Sequence, residues 1–183
     1  MPSTPDPLSE KVIGSDLIHD GKIVHLYVDT LQLPNGNTTR RETVRHSGAV
    51  AIVPLDGDGS VVLVRQYRHA AGRALLEIPA GTLNQGEDPD QCAIRELQEE
   101  TGYKPGKLQK IGGIFVAPGY STEFIHLYLA TDLTVSRLAM DVDEFIEVQH
   151  VPLPDVLNRI RSGDIPDAKT ICAVFLVKDL IAR

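Results

Sequence analysis

The sequence predicts an α+β fold, a mixed β-sheet flanked by helices. Three observations carry that prediction. Strand-like segments come in runs through the first half of the chain. A helix with clear start and stop signals follows over residues 88–102. Two more helical segments, 153–162 and 167–181, come after a further pair of strands. The chain has 183 residues, 42% apolar and 23% charged, which suits one globular domain with a full core. The opening MPSTPDPLSE lacks a basic-then-apolar leader pattern, so residues 1–12 read as a disordered tail before a single domain over 13–183.

The elements follow in order. Residues 16–32 carry β-branched and aromatic positions (Ile18, Ile23, Val24, Leu26, Tyr27, Val28) and read as one or two strands. Leu33-Pro34-Asn35-Gly36-Asn37 has turn chemistry: proline presets φ, and Asn-Gly tolerates positive φ. Arg41–Leu55 reads as a strand entering the apolar run Ala49–Val53. Asp56-Gly57-Asp58-Gly59 turns the chain, and Val61–Tyr67 returns, so 49–67 is expected to form a hairpin. Leu75–Ile78 is a short strand ending at Pro79-Ala80-Gly81. The helix then starts at Asp88, a good N-cap, with Pro89 at the first helical position and Gln91 at the capping-box spacing. Gly102 is its natural stop. Residues 109–117 and 124–130 read as strands. In the last helix the expected buried stripe is Ile171, Val174, Phe175, Val177 and Leu180.

Composition excludes several classes. A net charge of -7 opposes non-specific nucleic-acid binding, while a small anionic substrate needs only local arginines or a metal. Cys92 and Cys172 both lie in apolar patterns and read as buried reduced thiols, consistent with a cytoplasmic protein. The six histidines have no zinc-ligand spacing, and no apolar run approaches the roughly 20 residues of a membrane helix.

The chemistry concentrates on the helix over 88–102. Glu96, Glu99 and Glu100 stand at i, i+3 and i+4. At about 100° per residue they share one arc, while Ala93, Ile94, Leu97 and Thr101 fall on another side. Carboxylates this close repel, and a hard divalent cation such as Mg²⁺ or Mn²⁺ relieves the repulsion. Arg95 and Glu99 are spaced to pair at i, i+4. On the spacing alone a solvated acidic face is the commoner explanation.

The surroundings favour the metal. Gly81, five residues, Glu87, seven residues and then Arg95-Glu96-Leu97-Gln98-Glu99-Glu100-Thr101-Gly102-Tyr103 resemble the Nudix box, GX5EX7REUXEEXGU with U a bulky apolar residue. Every fixed position matches, and Tyr103 stands where an aliphatic residue is more usual. The likeness extends over residues 12–182. Pro118 lies 16 residues after Gly102, within Pro118-Gly119-Tyr120-Ser121-Thr122-Glu123, and resembles the marker of the ADP-ribose pyrophosphatase branch. Arg40-Arg41-Glu42, Gly48-Ala49-Val50, Glu77-Ile78-Pro79-Ala80-Gly81 and Asp167-Ala168-Lys169-Thr170 also resemble that branch.

The resemblance implies an α/β/α sandwich with an N-terminal β-rich segment, and an enzyme that hydrolyses the pyrophosphate bond of ADP-ribose with Mg²⁺ or Mn²⁺. GDP-mannose or another nucleoside diphosphate sugar is the alternative substrate. A non-catalytic ADP-ribose sensor ranks below both, because the box glutamates are kept. It further implies that Glu96, Glu100 and the Ala80 carbonyl are metal ligands, and that Glu99 is a ligand or holds one with Arg95. Glu87 is then a supporting acid. Glu144 in the loop Asp141-Val142-Asp143-Glu144 best matches the general base. Val142 stands where relatives commonly carry an acid, so Asp141 and Asp143 are alternatives. Arg40, Arg68, Pro118 and Glu123 match substrate-binding positions. Tyr27 and Tyr67 are weaker candidates for base stacking. The segment 16–46 resembles strands exchanged in a homodimer, which would bring Arg40 to a composite site.

Overall fold

A computed structural model of the chain describes residues 6–139 and 145–181. They fall in two compact units, residues 6–47 with 117–123, and 48–116 with 124–139 and 145–181.

The first unit is an antiparallel meander of β1 (Lys11–Asp20), β2 (His25–Gln32) and β3 (Thr38–Arg45). Its second turn forms as the sequence predicts. Leu33 N–H donates to the Asn37 carbonyl at 2.8 Å, and Gly36 takes φ 85°. β1 begins at Lys11, two residues inside the expected tail. The 117–123 segment is tied to β3: Val44 N–H donates to the Tyr120 carbonyl at 2.7 Å and Thr122 N–H to the Val44 carbonyl at 3.0 Å.

The second unit contains two sheets. One is mixed, in the order β7 (Ala80–Thr82), β4 (Ala49–Pro54), β9 (Phe124–Val135), β8 (Tyr103–Phe115), with β4 and β9 parallel. The other is antiparallel, in the order β10 (Ile146–Pro152), β5 (Ser60–Arg68), β6 (Arg73–Glu77). The helices are α1 (Pro89–Thr101), α2 (Leu153–Ser162) and α3 (Ala168–Ile181). Alternation along β4 divides the core. Val50 and Ile52 pack with Cys92, Ala93 and Leu97 of α1. Ala49, Ala51 and Val53 pack with Val61 and Leu63 of β5 and with Ala173, Val174 and Val177 of α3. The mixed sheet thus lies between helices, as the sandwich expectation requires.

Four sequence expectations are corrected. The Asp56–Gly59 turn forms, with Gly59 N–H donating to the Asp56 carbonyl at 3.0 Å, but 49–67 is not a hairpin. Beyond a single Leu55–Val61 bridge the two strands enter different sheets. Both edges of β4 are taken, by β7 and β9, and its residues are buried on both faces. On α3 the buried positions are Thr170, Ala173, Val174 and Val177, whereas Phe175 and Leu180 are exposed. Cys172 is exposed as well, while Cys92 is buried as expected. The strand expected over 109–117 starts at Tyr103, directly after the Gly102 stop.

Candidate active site

α1 presents its acidic arc toward the start of β7. Its start is held by Asp88, whose side chain accepts from Asp90 N–H at 3.0 Å and Gln91 N–H at 3.3 Å. Its end is closed by Gly102 at φ 77°, where only glycine is unstrained. Asp90 also accepts from the Tyr128 hydroxyl at 2.6 Å, pinning the first turn to β9.

The acidic arc is not a solvated face. Glu96 is 9% exposed and Glu100 3% exposed. Glu100 Oε2 accepts from the Ala80 N–H at 3.1 Å. Glu96 lies against Gly81, where an added Cβ would come within 1.9 Å of the Glu96 carboxyl carbon. A side chain at 81 would displace that carboxylate, which accounts for glycine there.

Arg95 organises the remaining carboxyls. Its Nε and Nη2 donate to the two Glu87 oxygens, each at 2.9 Å. Its Nη1 donates to Glu96 Oε1 at 2.6 Å and to Glu99 Oε2 at 2.8 Å. Glu87 also accepts from Asn84 N–H at 2.9 Å. The Arg95 hydrogen bonds, with that backbone bond, outweigh burial and hold the Glu87 carboxyl at about 2. The same bonds push the Arg95 guanidinium still higher. Burial raises the Cys92 thiol to about 12, so it stays protonated.

A second charged group lies at the end of β6. Arg68 grips Glu77 with Nε at 2.8 Å and Nη2 at 3.0 Å, and Lys169 Nζ donates to the same carboxylate. Glu77 is 1% exposed. Burial drives its carboxyl up, but the bonds and charges of Arg68 and Lys169 win and hold it low. Sequence reasoning noticed the segments around Glu77 and Lys169 but assigned neither residue a role. The available signal was a lone acid in the apolar run Leu75–Ile78, which a fold must pair.

In the first unit, Arg40 and Arg41 line an open groove of about 570 Å³ with Val28, Glu42, Gly119 and Tyr120. Arg40 stands 3.6 Å from Asp16. Glu123 N–H donates to the Ser121 hydroxyl at 3.1 Å, and Pro118 precedes Gly119 in this segment. Tyr27 is covered by Arg45, whose guanidinium carbon lies 3.7 Å from the ring centroid. Tyr67 lines a shallow groove with Phe145. Ala80, Arg95, Glu96, Glu99 and Glu100 come together in the second unit, where Arg68 is committed to Glu77. Glu144, with Asp141 and Asp143, lies outside the described residues.

Among the described residues, no group of three or more acidic, histidine or cysteine side chains is arranged to hold a metal ion by itself. Arg95 stands among Glu87, Glu96 and Glu99 instead. The donors nevertheless fit a magnesium ion. Mg²⁺ takes one or two carboxylates, keeps several waters and leaves positions for substrate phosphates, so it needs no all-protein cage. Glu96 and Glu100 beside the Ala80–Gly81 backbone, with no Cβ at Gly81, supply that kind of open oxygen site.

The NUDIX domain matches residues 45–173. The chain belongs to the NUDIX family. It is 43% identical over 169 residues to an ADP-ribose pyrophosphatase of Bacillus subtilis (strain 168), covering 91% of each chain. It is 42% identical over 167 residues to a methanol dehydrogenase activator of Bacillus methanolicus, covering 90% of each. The crystal structure of an ADP compounds hydrolase matches it with a TM-score of 0.85 at 23% identity, covering 98% of this chain and 97% of that one. That likeness bears out the expected fold.

Proposed function

We propose that this protein hydrolyses the diphosphate bridge of ADP-ribose, adding one water across it to give AMP and ribose 5-phosphate. The observation that carries the reading is the burial of Glu96 and Glu100 against the Ala80–Gly81 turn. Arg95 compensates Glu96 from one side, and a divalent cation beside Glu96 and Glu100 would relieve the repulsion that remains between two buried carboxyls. The Bacillus subtilis relative, an ADP-ribose pyrophosphatase by name, supports the substrate.

In this reading Glu96, Glu100 and the Ala80 carbonyl hold Mg²⁺, with Mn²⁺ able to substitute. Bound there, the ion neutralises diphosphate charge and lowers the pKa of a water. Arg95 fixes Glu99 and one oxygen of Glu96, so both carboxyls are oriented before substrate arrives. Glu99 is a further ligand or the group that holds one. Glu144 takes the proton from the attacking water. Arg40 binds diphosphate oxygens through its planar fork, and Pro118 and Glu123 shape the same substrate subsite. Arg68 uses Nε and Nη2 on Glu77, so its part in substrate binding falls to the rest of its 40% exposed side chain. We place the protein in the cytoplasm as a homodimer. Among the described residues, no helix is long and apolar enough to cross a membrane.

The test is a panel of ADP-ribose, GDP-mannose and other nucleoside diphosphate sugars with Mg²⁺, followed by ³¹P NMR of the products. The expected result is the highest kcat/KM with ADP-ribose. Tenfold greater efficiency with GDP-mannose would overturn the substrate assignment. Binding of ADP-ribose without any hydrolysis would overturn the enzymatic reading.

A further inference from the structure

We infer that Lys169 is a positioning residue of the active site, clamping Glu77 from the start of α3 and thereby setting where the Ile78–Ala80 backbone meets Glu100. The inference rests on the cation site proposed above.

Three contacts carry it. Lys169 is itself nearly buried, its side chain 11% exposed, and its Nζ bridges Glu77 and Asp167, the latter at 3.0 Å. The neighbouring Thr170 fixes the next residue of the same segment, its hydroxyl accepting from Ile78 N–H at 2.9 Å and donating to Asp167 at 2.6 Å. Asp167 also accepts from Thr170 N–H at 3.0 Å, so the first turn of α3 is closed on itself. The Pro79 carbonyl then accepts from Ile52 N–H at 2.9 Å, and Ala80 N–H reaches Glu100. Residues 77–80 are therefore held one after another between α3, β4 and α1. Lys169 holds the side-chain end of this run, opposite Arg68.

The physical reason for a lysine here is the buried Glu77. One guanidinium engages both oxygens from the β5 side. Lys169 supplies a second cation from α3, on an oxygen that Arg68 also holds, so the carboxylate is tied to two elements at once. Without that second cation, Glu77 is held by Arg68 alone, so the Glu77 end of the run loses one of its two anchors while Thr170, Ile52 and Glu100 still hold the Ile78–Ala80 backbone. Loss of a group that hydrogen-bonds a ligand typically lowers metal affinity or activity about 10–100-fold, and Lys169 acts one contact further out, so its loss is expected at the lower end of that range.

The test uses the full-length apoprotein and Mn²⁺ as the probe, with free Mn²⁺ counted by electron paramagnetic resonance. Wild type, Glu100→Gln, Lys169→Met and Lys169→Arg are compared, with apo melting temperature and steady-state kinetics alongside. The inference predicts that Lys169→Met weakens Mn²⁺ binding about tenfold or more and lowers kcat at saturating metal, with KM for substrate changed less than about threefold. Lys169→Arg, which restores the cation, returns Mn²⁺ binding to within about threefold of wild type. If Lys169→Met does not fold, Lys169→Gln carries the same comparison, since it also removes the cation while keeping a polar end on the side chain. A variant that melts lower but binds Mn²⁺ within twofold of wild type would show Lys169 to be a structural ion pair and overturn the inference alone. Wild type that binds no Mn²⁺, or Glu100→Gln that binds it as wild type does, would overturn the cation reading and this inference with it.

Discussion

Arg95 meets three carboxyl groups, and its grip on Glu87 has a pH signature. The Arg95 hydrogen bonds depress the folded-state Glu87 carboxyl to about 2 from an ordinary 4.5. A depressed carboxylate contributes stability above its unfolded pKa, and that contribution disappears as pH falls through the folded value. The stability difference between wild type and Glu87→Gln should therefore be constant above about pH 5.5, then shrink to nothing between about 4.5 and 2. Its ceiling is about 3 kcal/mol, read from urea unfolding at each pH. A difference independent of pH would show that Glu87 is not held by charge. The Arg95–Glu99 pair was legible in the sequence, because i, i+4 on a helix guarantees proximity. The Arg95–Glu87 pair was not, because it depends on the turn at Asn84–Glu87 folding back beside the helix. Burial of Glu96 and Glu100 was also invisible. Helical periodicity assigns residues to arcs but does not say what covers them.

At the scale of elements, α1 was the most legible, because its limits are written in local chemistry. Asp88 caps it, Pro89 starts it and Gly102 ends it, as the sequence predicts. Asp88→Ala leaves the Asp90 and Gln91 amides without their acceptor and should destabilise the protein by about 1 kcal/mol, seen as a lower urea midpoint at unchanged m-value. An unchanged midpoint would mean that packing of Cys92, Ala93 and Leu97, and the Asp90–Tyr128 bond, hold the helix without the cap. The β4–β5 pairing failed for the opposite reason. Asp-Gly turns and apolar flanks report a local reversal, and the reversal at Asp56–Gly59 is real. Which strand occupies each edge is decided by residues far away, here β9 and β7 for β4. The continuous burial of Ala49–Val53 is the trace such a strand leaves in a sequence. On α3, Phe175 and Leu180 looked like core by hydrophobicity, but Thr170, committed to Ile78, sets a buried stripe with Ala173, Val174 and Val177.

Across the whole molecule, the mixed sheet between helices was readable because strand runs and helix signals leave few packings. Pairing of Glu77 with Lys169 joins segments 92 residues apart, and no spacing rule reaches that far. The meander of β1, β2 and β3 leaves Val12, Ile13, Leu17 and Ile18 about half exposed on a strand exposed throughout. An exposed apolar edge strand calls for cover, and we propose that a second copy of the chain supplies it. Light scattering should give twice the chain mass at micromolar concentration, and Val12→Lys with Leu17→Lys should lower it toward the monomer. A monomeric wild type would remove the dimer from the account.

The central claim is that the buried arc of α1 is a cation site, and Glu100→Gln tests it most directly. The amide keeps an oxygen to accept from Ala80 N–H, so the apo fold should hold its melting temperature or gain slightly from lost repulsion. The charge that a hard ion requires is gone. The account predicts a fall in kcat of about a hundredfold or more with ADP-ribose, and loss of most of the thermal stabilisation that Mg²⁺ confers on wild type. Near-normal turnover at saturating Mg²⁺, or a lowered apo melting temperature with kcat spared, would contradict it and make Glu100 a structural acid.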